Sequence, residues 1–226
     1  MHAGATADMA RRDLAALDLA PENVALVERR AAAWRLPCPL EVAGGTLLAL
    51  PYPDASFDAA WCANTLQYLA DDELAAALAE LRRAARPGGL VAVKDADSSL
   101  TRILPGPPGL VLRTFFAWAA TGSAQARGCL RSAELRLWLL RAGLAGVRGR
   151  ATRIERAAEL DPLARRHYRE VLTVGAGLAA GLDLTAEDAA FWAGLRDPDV
   201  LDRFLDDPGF YGSEGNILAV GSVPAA

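Results

Sequence analysis

Leu50-Pro51-Tyr52-Pro53-Asp54-Ala55-Ser56-Phe57-Asp58 carries a Pro-rich surface loop into an apolar run, Phe57 to Cys62, with the composition of a buried strand. Further on, Asp71-Asp72-Glu73 puts acids in the first turn of a helix, where they complement its dipole. The Ala- and Leu-rich body of that helix ends in Arg82, Arg83 and Arg86, and Pro87-Gly88-Gly89 stops it. Leu90-Val91-Ala92-Val93 then supplies the next strand. Strand, helix and strand at this spacing make a parallel crossover unit, so the chain is α/β.

The same alternation extends upstream. Leu14-Ala15-Ala16-Leu17 is a short strand ending at Asp18, and Pro21 opens a helix that runs to about Trp34. Pro37-Cys38-Pro39 breaks it, and Leu40 to Ala43 reads as another strand before the Gly44-Gly45 turn. Downstream of Asp97 the pattern changes. A Pro/Gly-rich link, Leu104 to Gly109, leads into a helix bearing Phe115, Phe116 and Trp118. Ser132 to Ala142 is a further helix with Gly143 at its C′ position, and Val147 to Glu155 is charged and β-compatible. Helices follow from about Pro162 to Ala180 and, capped by Thr185, through Leu195. Ile217-Leu218-Ala219-Val220 forms the last strand.

Composition removes several classes of function. With 226 residues, 52% hydrophobic and 23% charged, the chain can bury a full core as one domain. A net charge of -4 without a basic block gives no footprint for nucleic acid or for a membrane surface. The apolar run from Leu110 to Ala120 is too short to span a bilayer, and no basic segment followed by an apolar one marks a secretory leader. A cytoplasmic protein is expected. Cys38, Cys62 and Cys129 form no CxxC pair, and His2 and His167 are the only histidines, so no metal site is expected. His167 lies in a basic helical run and reads as a solvated face.

Three segments taken in order resemble the middle of the class I S-adenosylmethionine-dependent methyltransferases. They are the Leu50–Asp58 stretch, Asn64-Thr65-Leu66-Gln67-Tyr68-Leu69, and Arg86-Pro87-Gly88-Gly89-Leu90. The resemblance is best from Leu14 to about Asp97 and looser through 132–155 and the last strand, as in the small-molecule branch. It implies a Rossmann-like three-layer sandwich whose mostly parallel sheet has the order 3-2-1-4-5-7-6, with the last strand antiparallel. It further implies a single domain over 1–226. The core would be 14–99, 132–155 and 214–222, and helical insertions at about 100–131, after the family's fifth strand, and 156–205 would act as lids.

Laid on this chain, the family pattern makes Leu14–Leu17 its second strand, Leu40–Ala43 its third, Phe57–Cys62 its fourth and Leu90–Lys94 its fifth. Asp18, followed by Leu19, then falls where the family holds the cofactor's ribose hydroxyls, at the sheet edge where open α/β folds bind ligands. Asp18 equally reads as a cap for the helix that follows. Thr46 stands where the family usually has an acid for the adenine amino group, and Leu47 would pack on the adenine. Gly45-Thr46 is equally a polar turn. Asn64 lies where the methionine moiety of S-adenosylmethionine would pass, or simply caps a turn.

Asp95 and Asp97 leave the family's fifth strand on the same edge, where either carboxylate would orient or deprotonate an acceptor; Asp97-Ser98-Ser99 also reads as a capping loop. Tyr68, Phe115, Phe116 and Arg127, the last in a loop before the 132–142 helix, are the candidate acceptor contacts. Each aromatic also reads as ordinary core.

One departure is large. The family's first strand and its Gly-rich loop have no counterpart, because only Met1 to Asp13 precede the Leu14 strand and they hold the single Gly4. Ala7 to Arg12 matches at most the helix that follows the loop. Three resolutions are expected: a start that truncates a longer enzyme, direct pairing of the strands flanking the gap, or a second copy or partner chain completing the sheet. Two functions remain in view. One is methyl transfer from S-adenosylmethionine to oxygen or nitrogen of a small molecule. The other is an inactive relative that binds a small molecule or serves as a partner subunit.

Overall fold

A computed structural model describes residues 14–225 except 32, 35 and 37. The Ala7–Arg12 helix lies outside the described residues. The chain forms two compact units, Met1–Pro53 and Asp54–Ala226.

In the first unit, β1 (Leu14–Asp18) and β2 (Leu40–Gly44) pair in parallel, from Leu14 opposite Leu40 to Asp18 opposite Gly44. The crossover between them is α1 (Pro21–Ala31), which starts on its proline as expected, with Glu22 in its first turn and Arg29 and Arg30 in its last. Its bounds are Pro21–Ala31, and the Trp34 amide still donates to the Arg30 and Ala31 carbonyls, so helical hydrogen bonding reaches the expected Trp34.

The second unit holds β3 (Phe57–Ala63), α2 (Asp71–Ala84), β4 (Ala85–Leu104), α3 (Leu110–Ala120), α4 (Ala124–Arg131), α5 (Leu135–Arg141), β5 (Ala145–Ala157), α6 (Pro162–Ala179), α7 (Ala186–Gly194), α8 (Pro198–Leu205) and β6 (Tyr211–Ser222). Its sheet has the order β3-β4-β6-β5, with β3 parallel to β4 and β6 antiparallel to both of its neighbours. The pairs β2-β1 and the quartet β3-β4-β6-β5 are the two fragments left when the first strand is taken out of the expected order. Among the described residues the strands form these two separate ladders.

Helices α2 and α5 pack on the sheet and bury Leu74, Leu78, Leu81, Leu135 and Leu139 with Val91, Val93 and Ala219. Each of these leucine and valine side chains contributes about 1.5–3 kcal/mol of apolar burial. A second cluster joins α3 and α6–α8 to the far end of β4 through Ile103, Leu110, Tyr168, Leu172, Trp192 and Phe210. There the Tyr168 and Phe210 rings meet edge to face at 5.2 Å. Side-chain caps start the helices: Asp161 accepts from the Leu163 and Ala164 amides, and Thr185 from Asp188 N, as its sequence position predicts.

Three elements differ from expectation. β4 does not end near Lys94 but runs to Leu104, because past a register shift between Asp97 and Arg102 it keeps pairing with β6. Asp97-Ser98-Ser99 therefore lies within the bounds of β4, with Ser98 and Ser99 in the register shift, where Asp97 Oδ1 accepts from Ser99 N as the capping reading expects. The 132–142 helix is a single 3-10 turn, Ser132–Glu134, followed by α5. Arg127 lies on α4, not in a loop, because Ser123 caps that helix by accepting from Ala126 N. No helix of the described residues is long and apolar enough to cross a membrane.

Candidate functional site

The first unit carries one built feature. β1 ends at Asp18, whose Oδ1 accepts hydrogen bonds from Ala20 N at 2.8 Å and Asn23 Nδ2 at 3.2 Å. Those contacts fix the carboxylate at the strand exit and leave Oδ2 without a partner among the described residues. The capping reading of Asp18 thus describes one of its oxygens only. Leu19 beside it is 77% exposed. Thr46 Oγ1 accepts from Leu48 N at 3.2 Å, forming a local turn, and Leu47 is half-buried.

In the second unit the exits of β3 and β4 are tied together. Asn64 has a left-handed backbone (φ 55°), which its short polar side chain tolerates. Its amide donates to Lys94 O at 2.7 Å, and Lys94 Nζ donates back to Asn64 Oδ1 at 2.7 Å. A 3-10 turn, Leu66–Tyr68, follows and buries Leu66 and Gln67 while leaving Tyr68 52% exposed. Gln67 Oε1 accepts from Ala96 N at 3.2 Å, fastening that turn to β4.

Asp95 and Asp97 point to the same, helix-covered side of β4 and are 1% and 2% exposed. Asp97 Oδ1 accepts from Ser99 N at 2.9 Å. Asp95 is different, since neither of its carboxylate oxygens has a hydrogen bond of good geometry, although the Thr65 and Gln67 backbone lies near enough to favour its charged form. Burial pushes its pKa up to about 7, while the backbone at Thr65 and Gln67 and the charges of Arg131 and Lys94 pull the other way. Two thiols share this environment: burial raises Cys62 to about 12 and Cys129 to about 11, and the Asp95 charge adds to both.

Arg131 closes the cluster from α4. Its Nη2 donates to Leu66 O at 3.1 Å and Leu69 O at 2.6 Å, and its Nη1 pairs with Asp71. Gln67 and Arg131 thus hold the turn in place, roles the sequence pattern did not single out. The signal for Arg131 was its place on an amphipathic segment capped by Ser123; Gln67 had none beyond its position in the motif. Among the acceptor candidates, Phe115 packs against the α3/α6–α8 cluster, Phe116 is 57% exposed, and Arg127 is exposed on α4. Two concavities of the second unit, about 290 Å³ beside Asp54, Arg83 and Pro87 and about 360 Å³ beside Arg169, Thr173 and Pro198, include none of the predicted site residues.

Residues 2–93 match the family model described as a methyltransferase domain. Over 99 residues the chain is 34% identical to the demethylmenaquinone methyltransferase of Deinococcus radiodurans, covering 44% of this chain and 38% of that protein. Over 103 residues it is 37% identical to the demethylmenaquinone methyltransferase of Thermus thermophilus, covering 44% and 41%. The chain therefore spans less than half the length of these curated relatives. Among solved structures, a Bacillus halodurans protein proposed to be a methyltransferase superposes with a TM-score of 0.56 at 12% identity, over 95% of this chain and 84% of that one. The YcgJ protein of Bacillus subtilis does so with a TM-score of 0.54 at 15% identity, over 94% and 82%.

Proposed function

We propose that this chain, whose residues 2–93 match the methyltransferase-domain model, is a member of that family and transfers a methyl group from S-adenosylmethionine to oxygen or nitrogen of a small-molecule acceptor. The observation that carries the reading is Asp18. A carboxylate at a parallel-strand exit, with one oxygen fixed by Ala20 N and Asn23 and the other open, offers the acceptor that donating ribose hydroxyls need. Thr46 fits the adenine end: its oxygen already accepts from Leu48 N, so its proton is the one available to a base nitrogen. Leu19 and Leu47 supply apolar surface beside these groups. Asn64 is assigned to the methionine moiety.

S-adenosylmethionine supplies an electrophilic methyl on a sulfonium, and displacement from it needs positioning and exclusion of water more than a catalytic triad. Asp95, whose pKa of about 7 lets it accept a proton near neutrality, is assigned to the acceptor's leaving proton, with Asp97 beside it on the strand face. Both are covered, so the assignment requires the Leu66–Tyr68 turn and α4 to lift for the acceptor to enter. Tyr68, Phe116 and Arg127, exposed on that turn, α3 and α4, are assigned to the acceptor's walls, and Phe115 to holding α3.

A second reading, small-molecule binding without transfer, is favoured by the burial of both carboxylates. The two separate in one assay. The chain is incubated with methyl-tritiated S-adenosylmethionine and panels of phenols, hydroxyquinones and small amines. Labelled product that disappears in Asp18→Ala supports transfer. Cofactor binding with no labelled product across the panel supports the second reading instead.

A further inference from the structure

Gly177 of α6 borders empty space: a methyl group on its α-carbon would meet nothing within 4 Å. Two residues earlier the reason for glycine is plain, since a side chain at Gly175 would strike the Trp192 indole. No such packing demand explains Gly177, although glycine inside a helix costs about 1 kcal/mol relative to alanine. It lines the concavity of about 360 Å³ between α6 and the α7–α8 junction, at the small end of the ~300–1,000 Å³ range of ligand pockets. Every residue that lines this hollow belongs to the second unit.

The hollow has an apolar side and a cationic side. Leu195 and Leu201, both buried, supply the apolar surface together with Pro198. Thr173 and Arg169 stand one and two turns before Gly177 on the same face of α6, and Arg196 enters just past the end of α7. The acids of α8 that face α6 are already engaged. Asp202 accepts from Arg165 Nη2 at 2.7 Å and from Arg169, and Asp206 pairs with Arg165 Nη1. Asp197 is turned onto the Asp199 and Val200 amides as the cap of α8. Arg196 is left over. Its Nε donates to Ala176 O at 3.2 Å, which fixes the guanidinium, and its two Nη groups have no partner among the described residues. Nor does the Thr173 hydroxyl have one among those residues.

We propose that the hollow between α6 and α8 binds a small amphipathic carboxylate. Its hydrocarbon lies on Leu195 and Leu201, its two oxygens take the Nη groups of Arg196, and the Thr173 hydroxyl is a further donor. A guanidinium fork meets a carboxylate in two parallel hydrogen bonds, a match that an uncharged head group lacks. None of the residues assigned to methyl transfer lines the hollow, so this site stands whether or not that reaction occurs.

The probe is sodium octanoate, with octanol as its uncharged twin, titrated into the isotope-labelled full chain and followed by backbone amide shifts. The expected result is saturable shifts confined to 169–177 and 195–201, with at least about tenfold weaker binding of octanol and a similar loss in Arg196→Gln. Gly177→Leu fills the hollow from a position where the added β-carbon meets nothing. It abolishes the shifts, while the gain in helix propensity keeps its thermal melt at or above that of the wild type. That variant carries the test even where Arg196→Gln fails to fold. Equal binding of octanol and octanoate, shifts that survive Gly177→Leu, or no saturable shifts with octanoate overturns the proposal.

Discussion

Gly128 of α4 lies so close to the turn beneath it that a methyl group on its α-carbon would overlap the Gln67 carbonyl oxygen. The obstacle is backbone, which a rotamer change cannot move aside. Helix α4 therefore rests main chain to main chain on the turn that carries Gln67 and Tyr68. In an open helix Gly→Ala stabilises by about 1 kcal/mol. Here Gly128→Ala is expected to cost about 1–3 kcal/mol, the range for overpacking. Urea denaturation checks it, and the sign alone is diagnostic.

Asp95 predicts a pH dependence of stability. Its pKa rises from 3.8 to about 7 on folding, so the folded state binds the extra proton. Stability is therefore full below pH ~4, falls as pH rises through about 7, and levels off above; the loss is on the order of 4 kcal/mol. In Asp95→Asn this slope disappears, leaving only a pH-independent offset from the new amide. Denaturation midpoints at pH 5 to 8, wild type against variant, give the test.

Arg131 makes three contacts across the turn and the start of α2, with Leu66 O, Leu69 O and Asp71. Arg131→Met keeps the stem and removes the donors, leaving the Leu69 carbonyl without one while Leu66 O keeps the Leu69 amide. A loss of about 2–3 kcal/mol is expected, with faster amide exchange confined to 66–71 and α4.

Trp192 Nε1 donates to Thr114 Oγ1 at 2.9 Å inside the α3/α6–α8 cluster. Thr114→Val is close to isosteric and leaves a buried indole N–H unpaired, for an expected cost of about 1–3 kcal/mol. In a double-mutant cycle with Trp192→Phe the Thr114→Val cost shrinks, because the orphaned donor is gone.

The elements were legible in the sequence from short apolar runs and their punctuation, while their order came from the family resemblance: Leu14–Leu17, Phe57–Cys62, the 71–73 acids and the terminal Ile217–Val220 all fall inside elements of the structure. The far half of β4 was not. Asp95, Asp97, Ser98 and Ser99 are polar, and polar residues after an apolar run read as an exit; pairing of Asp95 and Asp97 with β6, resumed at Arg102 past a register shift, carries the strand on. Arg127 was misplaced for the converse reason, a Gly-containing segment, Ala124 to Arg131, that looks like loop until Ser123 is recognised as its cap. Of the candidate site, Asp18 was legible because strand ends are visible in sequence. The poorly bonded state of Asp95 was not, since it depends on what α4 and the 66–68 turn place around it.

The cofactor site is the central claim, and calorimetric titration of the purified 226-residue chain with S-adenosylhomocysteine tests it most directly. The account predicts a one-to-one isotherm in the micromolar range that weakens at least about tenfold in Asp18→Ala, with the variant's melt showing that it folds. A flat isotherm from a well-folded wild-type chain would contradict it.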